Sequence, residues 1–498
     1  MKPLTQFVTI LAFAFIPLSL KSKANLYLTV TLETGIPIQG LGVELDPHFL
    51  SQNVAANNGT RAEDWERIIL RRLEMLHFQK LRVMILPEWY EPENDNDNPD
   101  ITNRNNLTFT SPEMNSLYKV LDFAEQKKIA VTLTFWGARP KTFLFTKNAE
   151  GWLFGPDQYE EWAENLSACL KHLLKDKKYT CIHEVTPVNE PDWSFSKDSV
   201  DQAEQYIRMC RILDKRLRKD RLRKLVKLNL SDNSDGGYGT HAFLEKCTAG
   251  LGNIADIFNS HTYIFGYETP NSRIKEWEAK NVELAAAAGK KHFIGEFGSN
   301  QTAGSTRQRD IDNYERGVLM ARIVINLLNA GAAGASYWSL LDQYYSKEEA
   351  LKHRNMQQLG LWRYLKKEYA NDSIYAFLKE DYQVRPQYYA FGLLGNTVER
   401  GDRIYPLETG NDFIAATAIR KGKGRWAYLI ANATNETIKI FIRNLWQQRK
   451  PTFDIYLYTS SALPDGDCLL KPVGKAILRK GIIETDVPPH SVCALRQR

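Results

Sequence analysis

Cysteine is scarce in this chain, with six in 498 residues. A chain of that length buries a large core unaided, so a disulfide framework is not expected. Cys169 and Cys210 fall in helical patterns and read as core thiols, while Cys468 and Cys493 share the C-terminal region and could pair in an oxidising compartment. No cysteine has zinc or redox spacing. A His-x-His pair or early His/Asp cluster of the kind metal-dependent hydrolases use is also missing, so neither a metal nor a cofactor is expected.

Long apolar runs are missing as well. The candidate, Phe7 to Leu20, is shorter than the ~20 residues a spanning helix needs. Lys2 before it and Ser22-Lys23-Ala24 after it give it the charge, length and small-residue ending of a secretory signal peptide. Residues 1–24 are therefore expected to be removed, leaving a secreted or periplasmic protein without membrane insertion. Strong charge of one sign is absent too: the formal +6 falls to +3 once Lys2, Lys21 and Lys23 leave with the leader. That balance does not suggest nucleic acid as a partner.

What the chain has in quantity is alternation. Short β-rich runs alternate with long amphipathic ones from about Gly40, the pattern of βα units around a parallel sheet. Eight runs end near Glu44, Leu86, Trp136, Glu190, Ser231, Tyr263, Phe297 and Leu340. This predicts an α/β fold, a (β/α)8 TIM barrel over 38–399. Ser111 followed by Pro112 marks a helix start ahead of Leu117, Val120, Leu121 and Ala124. Beyond about Gly401 come strands without helices, predicting an antiparallel β-sandwich over 400–498 that the strand 25–33 is free to join.

Barrel chemistry sits at the C-terminal ends of the strands. Glu190, in "EVTPVNEPDW", ends the fourth run, and Glu296, in "HFIGEFGSN", nearly ends the seventh. A carboxylate within an apolar run is costly to bury unless paired or functional. Two of them facing one another across a barrel mouth are the machinery of glycoside hydrolysis.

Asn189-Glu190-Pro191 on the fourth strand and Gly295-Glu296-Phe297-Gly298 on the seventh resemble clan A of the glycoside hydrolases, especially family 5. The resemblance implies Glu190 as general acid/base and Glu296 as nucleophile. It further implies that Tyr263, in the His261-Thr262-Tyr263 ending of the sixth run, donates to the nucleophile, and that Arg82 of the second strand keeps it ionised. Trp338 then forms the floor of the sugar site, and Asn189 contacts the sugar 2-hydroxyl. The C-terminal sandwich is similar to that of families 30 and 39 of the clan.

Weaker sugar-binding candidates come from residue chemistry. Aromatic faces backed by polar groups suit carbohydrate, which brings in Trp89, Trp136 and Trp193, and Asp46 and His48 after the first strand are candidate hydroxyl partners. The expectation is a retaining β-glycoside hydrolase with a carbohydrate substrate. The alternative is a carbohydrate-binding protein on the same barrel without turnover.

Overall fold

The computed structural model describes residues 24–47, 64–96, 98–137, 155–195, 200–234, 240–264, 266–299, 308–342, 358–363, 382–446 and 451–498. Three strands open the described chain: β1 (Ala24–Val30), β2 (Ile36–Pro37) and β3 (Gly40–Leu45). Next come β4 (Lys80–Ile85), β5 (Ala130–Phe135), β6 (Ile182–Thr186), β7 (Lys227–Asn233), β8 (Ile257–Ile264), β9 (Lys291–Ser299) and β10 (Gly334–Tyr337). Strands β3 to β10 close a barrel in sequence order, every neighbour parallel, with β10 returning to β3. The (β/α)8 expectation is met.

The strands are buried along nearly their whole length, which explains their continuous apolar text. The helix Pro112–Lys127 shows how local signals set its ends. Ser111 accepts a hydrogen bond from the Met114 amide, and Pro112 occupies the first turn, where its missing N–H leaves no intrahelical bond unmade. Lys128 closes it in the left-handed conformation.

The C-terminal region forms two sheets. One has seven strands: β16 (Pro472–Ile477), β15 (Thr452–Tyr458), β18 (Ser491–Gln497), β13 (Trp426–Asn432), β12 (Ile414–Arg420), β11 (Arg403–Leu407) and then β2. The other places β14 (Ile438–Asn444) between β1 and β17 (Ile482–Val487), with β1 parallel to β14. Leu28, Val30, Tyr405, Ile430, Ile440 and Leu495 contribute to the core between them.

The outer face of the seven-stranded sheet packs on the barrel helix Glu315–Asn329. The fit is close: a Cβ at Gly317 would lie 2.3 Å from the Tyr458 hydroxyl. Tyr458 stacks on Tyr314 with centroids 4.7 Å apart and donates to the Tyr314 carbonyl at 2.7 Å. Cys468 is exposed, Cys493 is buried, and the two are not joined.

Candidate active site

Glu190 does not end a strand. Strand β6 stops at Thr186, and Glu190 stands four residues further on with φ 43° and ψ 60°, immediately before the one-turn helix Pro191–Ser194. A glutamate holds this left-handed conformation only where its surroundings fix it. The fixing bonds are visible: the Glu190 carbonyl accepts from the Trp193 and Ser194 amides at 2.9 Å, and the Glu190 amide donates to the Asp232 carbonyl at 3.1 Å. Ser194 Oγ donates to the Asn189 carbonyl at 2.7 Å. Asp192 takes the Ser234 amide on both oxygens, tying the turn to the end of β7.

Glu296 lies within β9, where the pairing with β8 shifts register: Ser260 pairs with Ile294 and His261 with Glu296. Gly295 is the extra residue. A Cβ there would lie 2.6 Å from Asn259 Oδ1 and 3.1 Å from Asp232 Oδ1, so this bulge needs glycine. Past it, the Tyr263 hydroxyl donates to Glu296 Oε2, and His261 Nδ1 lies 3.4 Å from the same oxygen.

His261 bridges the two glutamates. Its Nδ1 is 2.8 Å from Glu190 Oε1, and its Nε2 is 3.2 Å from Asp232 Oδ1. Burial alone would push the imidazole down, but Glu296 and Asp232 raise it to about 10, so it stands as an imidazolium at neutral pH. Arg82 supplies the second cation, with Nη1 2.7 Å from Glu296 Oε1 and Nη2 2.9 Å from Asp232 Oδ2 and 2.7 Å from Asn189 Oδ1.

Arg82 does lower the Glu296 pKa as expected, but burial outweighs it. Burial pushes the Glu296 carboxyl above its ordinary value; His261 and Arg82 pull it down, Glu190 raises it further and Tyr263 lowers it, with the balance upward. The cations limit a desolvation penalty rather than overcome it. Asp232 comes out the other way: burial raises it, but Arg82 and His261 hold it below the usual aspartate range.

Asp232 was missed by the sequence reading. It sits in "LNLSDN" with φ 49°, where β7 shifts register against β8. The rule that singled out Glu296, an acid inside an apolar run, applies to it equally. Glu44, given no special role from sequence, is buried next to Asp46 and close enough to feel both Arg82 and Glu296. Neither of these two carboxylates accepts a hydrogen bond from a donor. Burial and Asp46 push Glu44 well above the usual range.

The aromatic candidates separate. Trp136 and Trp338 stack with centroids 5.5 Å apart, and the Arg82 guanidinium lies 5.5 Å from the first ring and 6.0 Å from the second. Trp338 follows β10, and its peptide bond to Ser339 is cis. Trp193 is exposed on the helix after Glu190, whereas Trp89 is buried in the barrel core. His48 lies outside the described residues.

Glu190, His261 and Glu296 offer donor atoms within 4.8 Å of one another, a spacing that a metal ion also tolerates. What the arrangement can do is hold two carboxylates near one reacting carbon, with a hydrogen-bonding cation between them.

No protein-family model matches the chain, and no curated protein matches it. Solved structures do. The glycoside hydrolase family 30 subfamily 8 xylanase of Clostridium acetobutylicum is 12% identical at a TM-score of 0.61, covering 94% of this chain and 99% of that one. The catalytic domain of xylanase C of the same family, from Talaromyces cellulolyticus, is 14% identical at 0.64, covering 95% and 100%. A family 39 enzyme from Xanthomonas axonopodis pv. citri is 13% identical at 0.61, covering 97% and 99%. At these identities the likeness establishes the fold, a parallel barrel carrying a C-terminal β-sandwich, which this chain shares with glycoside hydrolases of families 30 and 39.

Proposed function

We propose that the protein is a retaining β-glycoside hydrolase, cleaving O-glycosidic bonds of oligo- or polysaccharides by double displacement through a glycosyl-enzyme ester. One observation carries the reading: Glu190 and Glu296 each bring an oxygen within 4.8 Å of the other. Retaining pairs stand about 5–5.5 Å apart, whereas inverting pairs stand roughly 6.5–9.5 Å apart to admit a water.

Accessibility divides the roles. The Glu296 side chain is 4% exposed and gripped by Arg82 and Tyr263, which suits a nucleophile aimed at one anomeric carbon. The Glu190 side chain is 28% exposed, so it can reach a leaving-group oxygen and afterwards an incoming water. When Glu296 becomes an ester, a negative charge beside Glu190 disappears, easing its change from acid to base. Asn189, held at 2.7 Å by Arg82, would meet the sugar 2-hydroxyl, with Trp338 and Trp136 under the ring.

A panel of aryl β-glycosides and soluble β-glucans and xylans tests the reading. Wild type should release reducing sugar or phenol, Glu296→Ala should not, and a 2-fluoro aryl glycoside should leave its sugar on Glu296 in a peptide map. Binding of oligosaccharide without turnover by wild type would favour the non-catalytic alternative. An inverted anomer among the first products would refute retention. Export follows from the leader-like residues 1–24; N-terminal sequencing of the extracellular or periplasmic protein should begin at Asn25.

A further inference from the structure

A second group of acids lies away from Glu190 and Glu296. The polar stretch 91–106, "EPENDNDNPDITNRNN", follows β4 and the turn Pro87–Trp89, and contributes Glu91 and Asp95. The helix Tyr159–Lys171 contributes Glu164. All three are buried, Glu91 and Glu164 at 0% and Asp95 at 4% exposure, and one carboxylate oxygen of each lies within 4.8 Å of the others.

These acids are poorly neutralised. Among the described residues no donor meets either Glu164 oxygen or Asp95 Oδ1 in good hydrogen-bond geometry, although Thr102 stands near enough to lower Glu164. The nearest cation is Arg216, 3.8 Å from Glu164 Oε1, and its shorter contacts go elsewhere: Nε to Asp220 at 2.6 Å, Nη1 to the Pro99 carbonyl at 2.5 Å and Nη2 to Thr102 at 3.1 Å. Glu91 is better served, by Asn165 at 2.6 Å and the Asp95 amide at 3.2 Å. A buried acid without a donor is costly, and three together repel.

We propose that Glu91, Asp95 and Glu164 bind a hard divalent cation of the calcium type, which fastens the 91–106 stretch to the helix Tyr159–Lys171. Oxygen ligands from carboxylates, with room for waters and no demand for a strict octahedron, are what calcium takes. Without the cation, burial raises Glu91 to about 8 and Glu164 to about 7. Other contacts keep the loop close to this arrangement, since Asn106 Nδ2 donates to the Asp95 carbonyl at 2.7 Å and the Asp95 carboxylate caps the Asn103 amide.

Chelator-stripped full-length protein at pH about 8 should bind one calcium ion in isothermal titration calorimetry. Its Tm should rise by about 2 °C or more as calcium saturates, with magnesium doing less. Glu164→Gln and Asp95→Asn each remove a buried charge, so in chelator both variants should be at least as stable as wild type, and both should lose the calcium response. The proposal is overturned if calcium gives wild type neither heat nor a Tm shift. It is equally overturned if either variant responds as wild type does. Stability that falls with rising pH but ignores calcium would make the cluster a proton-sharing group only.

Discussion

Removing Arg82 by Arg82→Met is the most informative single change to the site. The methionine keeps much of the buried stem and deletes the fork, leaving Glu296 Oε1 without its ion-pair partner and Asp232 with His261 as its remaining charged partner among the described residues. Breaking a buried ion pair by truncating one partner costs about 3–5 kcal/mol. At 1.36 kcal/mol per pH unit, about 3 kcal/mol falling on the Glu296 carboxylate moves the ascending limb of the pH–rate profile up by about 2 pH units. The sign follows from the nucleophile being active when ionised: losing a cation favours its protonated form. On the wild-type limb kcat/KM should therefore fall about 100-fold and recover roughly tenfold per pH unit as the medium becomes more alkaline. Thermal unfolding supplies a second readout. A Glu whose folded pKa is raised loses stability as pH rises, so the Arg82→Met deficit should be larger near pH about 8 than near pH about 5. An unmoved limb with a lower plateau would refute the reasoning and make Arg82 a packing or substrate-binding residue.

Tyr263→Phe deletes one hydrogen bond to Glu296. Bonds to charged groups are worth about 1.5–3 kcal/mol, so kcat/KM should drop about 10- to 150-fold with the Tm nearly unchanged; a loss confined to KM would contradict the role. His261 should show both ring nitrogens protonated at neutral pH in nitrogen NMR and titrate near the value of about 10 set by Glu296 and Asp232 against burial. Its contribution to stability is complete below its ordinary 6.5 and drains as pH climbs through about 10. A neutral ring at pH about 7 would refute the bridging picture. Arg385 holds Asp342 through two bonds of 2.7 Å, both groups buried. Arg385→Ala should lower unfolding stability by about 3–5 kcal/mol in urea titrations, and a cost under about 1 kcal/mol would show that Asp342 finds other donors.

The barrel was legible because strands buried on both faces are written as continuous β-rich runs, and all eight fall where such runs occur. Boundaries were less so. The fourth run reads through to Glu190, yet its strand stops at Thr186, because a left-handed turn followed by proline leaves no periodic mark that separates it from strand. Glu296 was flagged as an acid within an apolar run, Arg82, Asn189, His261 and Tyr263 came from the resemblance to clan A, and all of them do converge. Asp232 was passed over although the same rule reaches it; only the bulge in β7 that places it is invisible to periodicity. Sequence names the cation beside Glu296, which does lower it, and says nothing of the burial that raises it.

Strand β1 carries a consequence for biosynthesis. Leu26 lies opposite Ile440, so β1 is synthesised long before the strand it pairs with. During that interval its apolar side chains and unmatched backbone edge are available to chaperones, or to a neighbouring nascent chain. A chain that stops before β14 leaves β1 without the strand it pairs with.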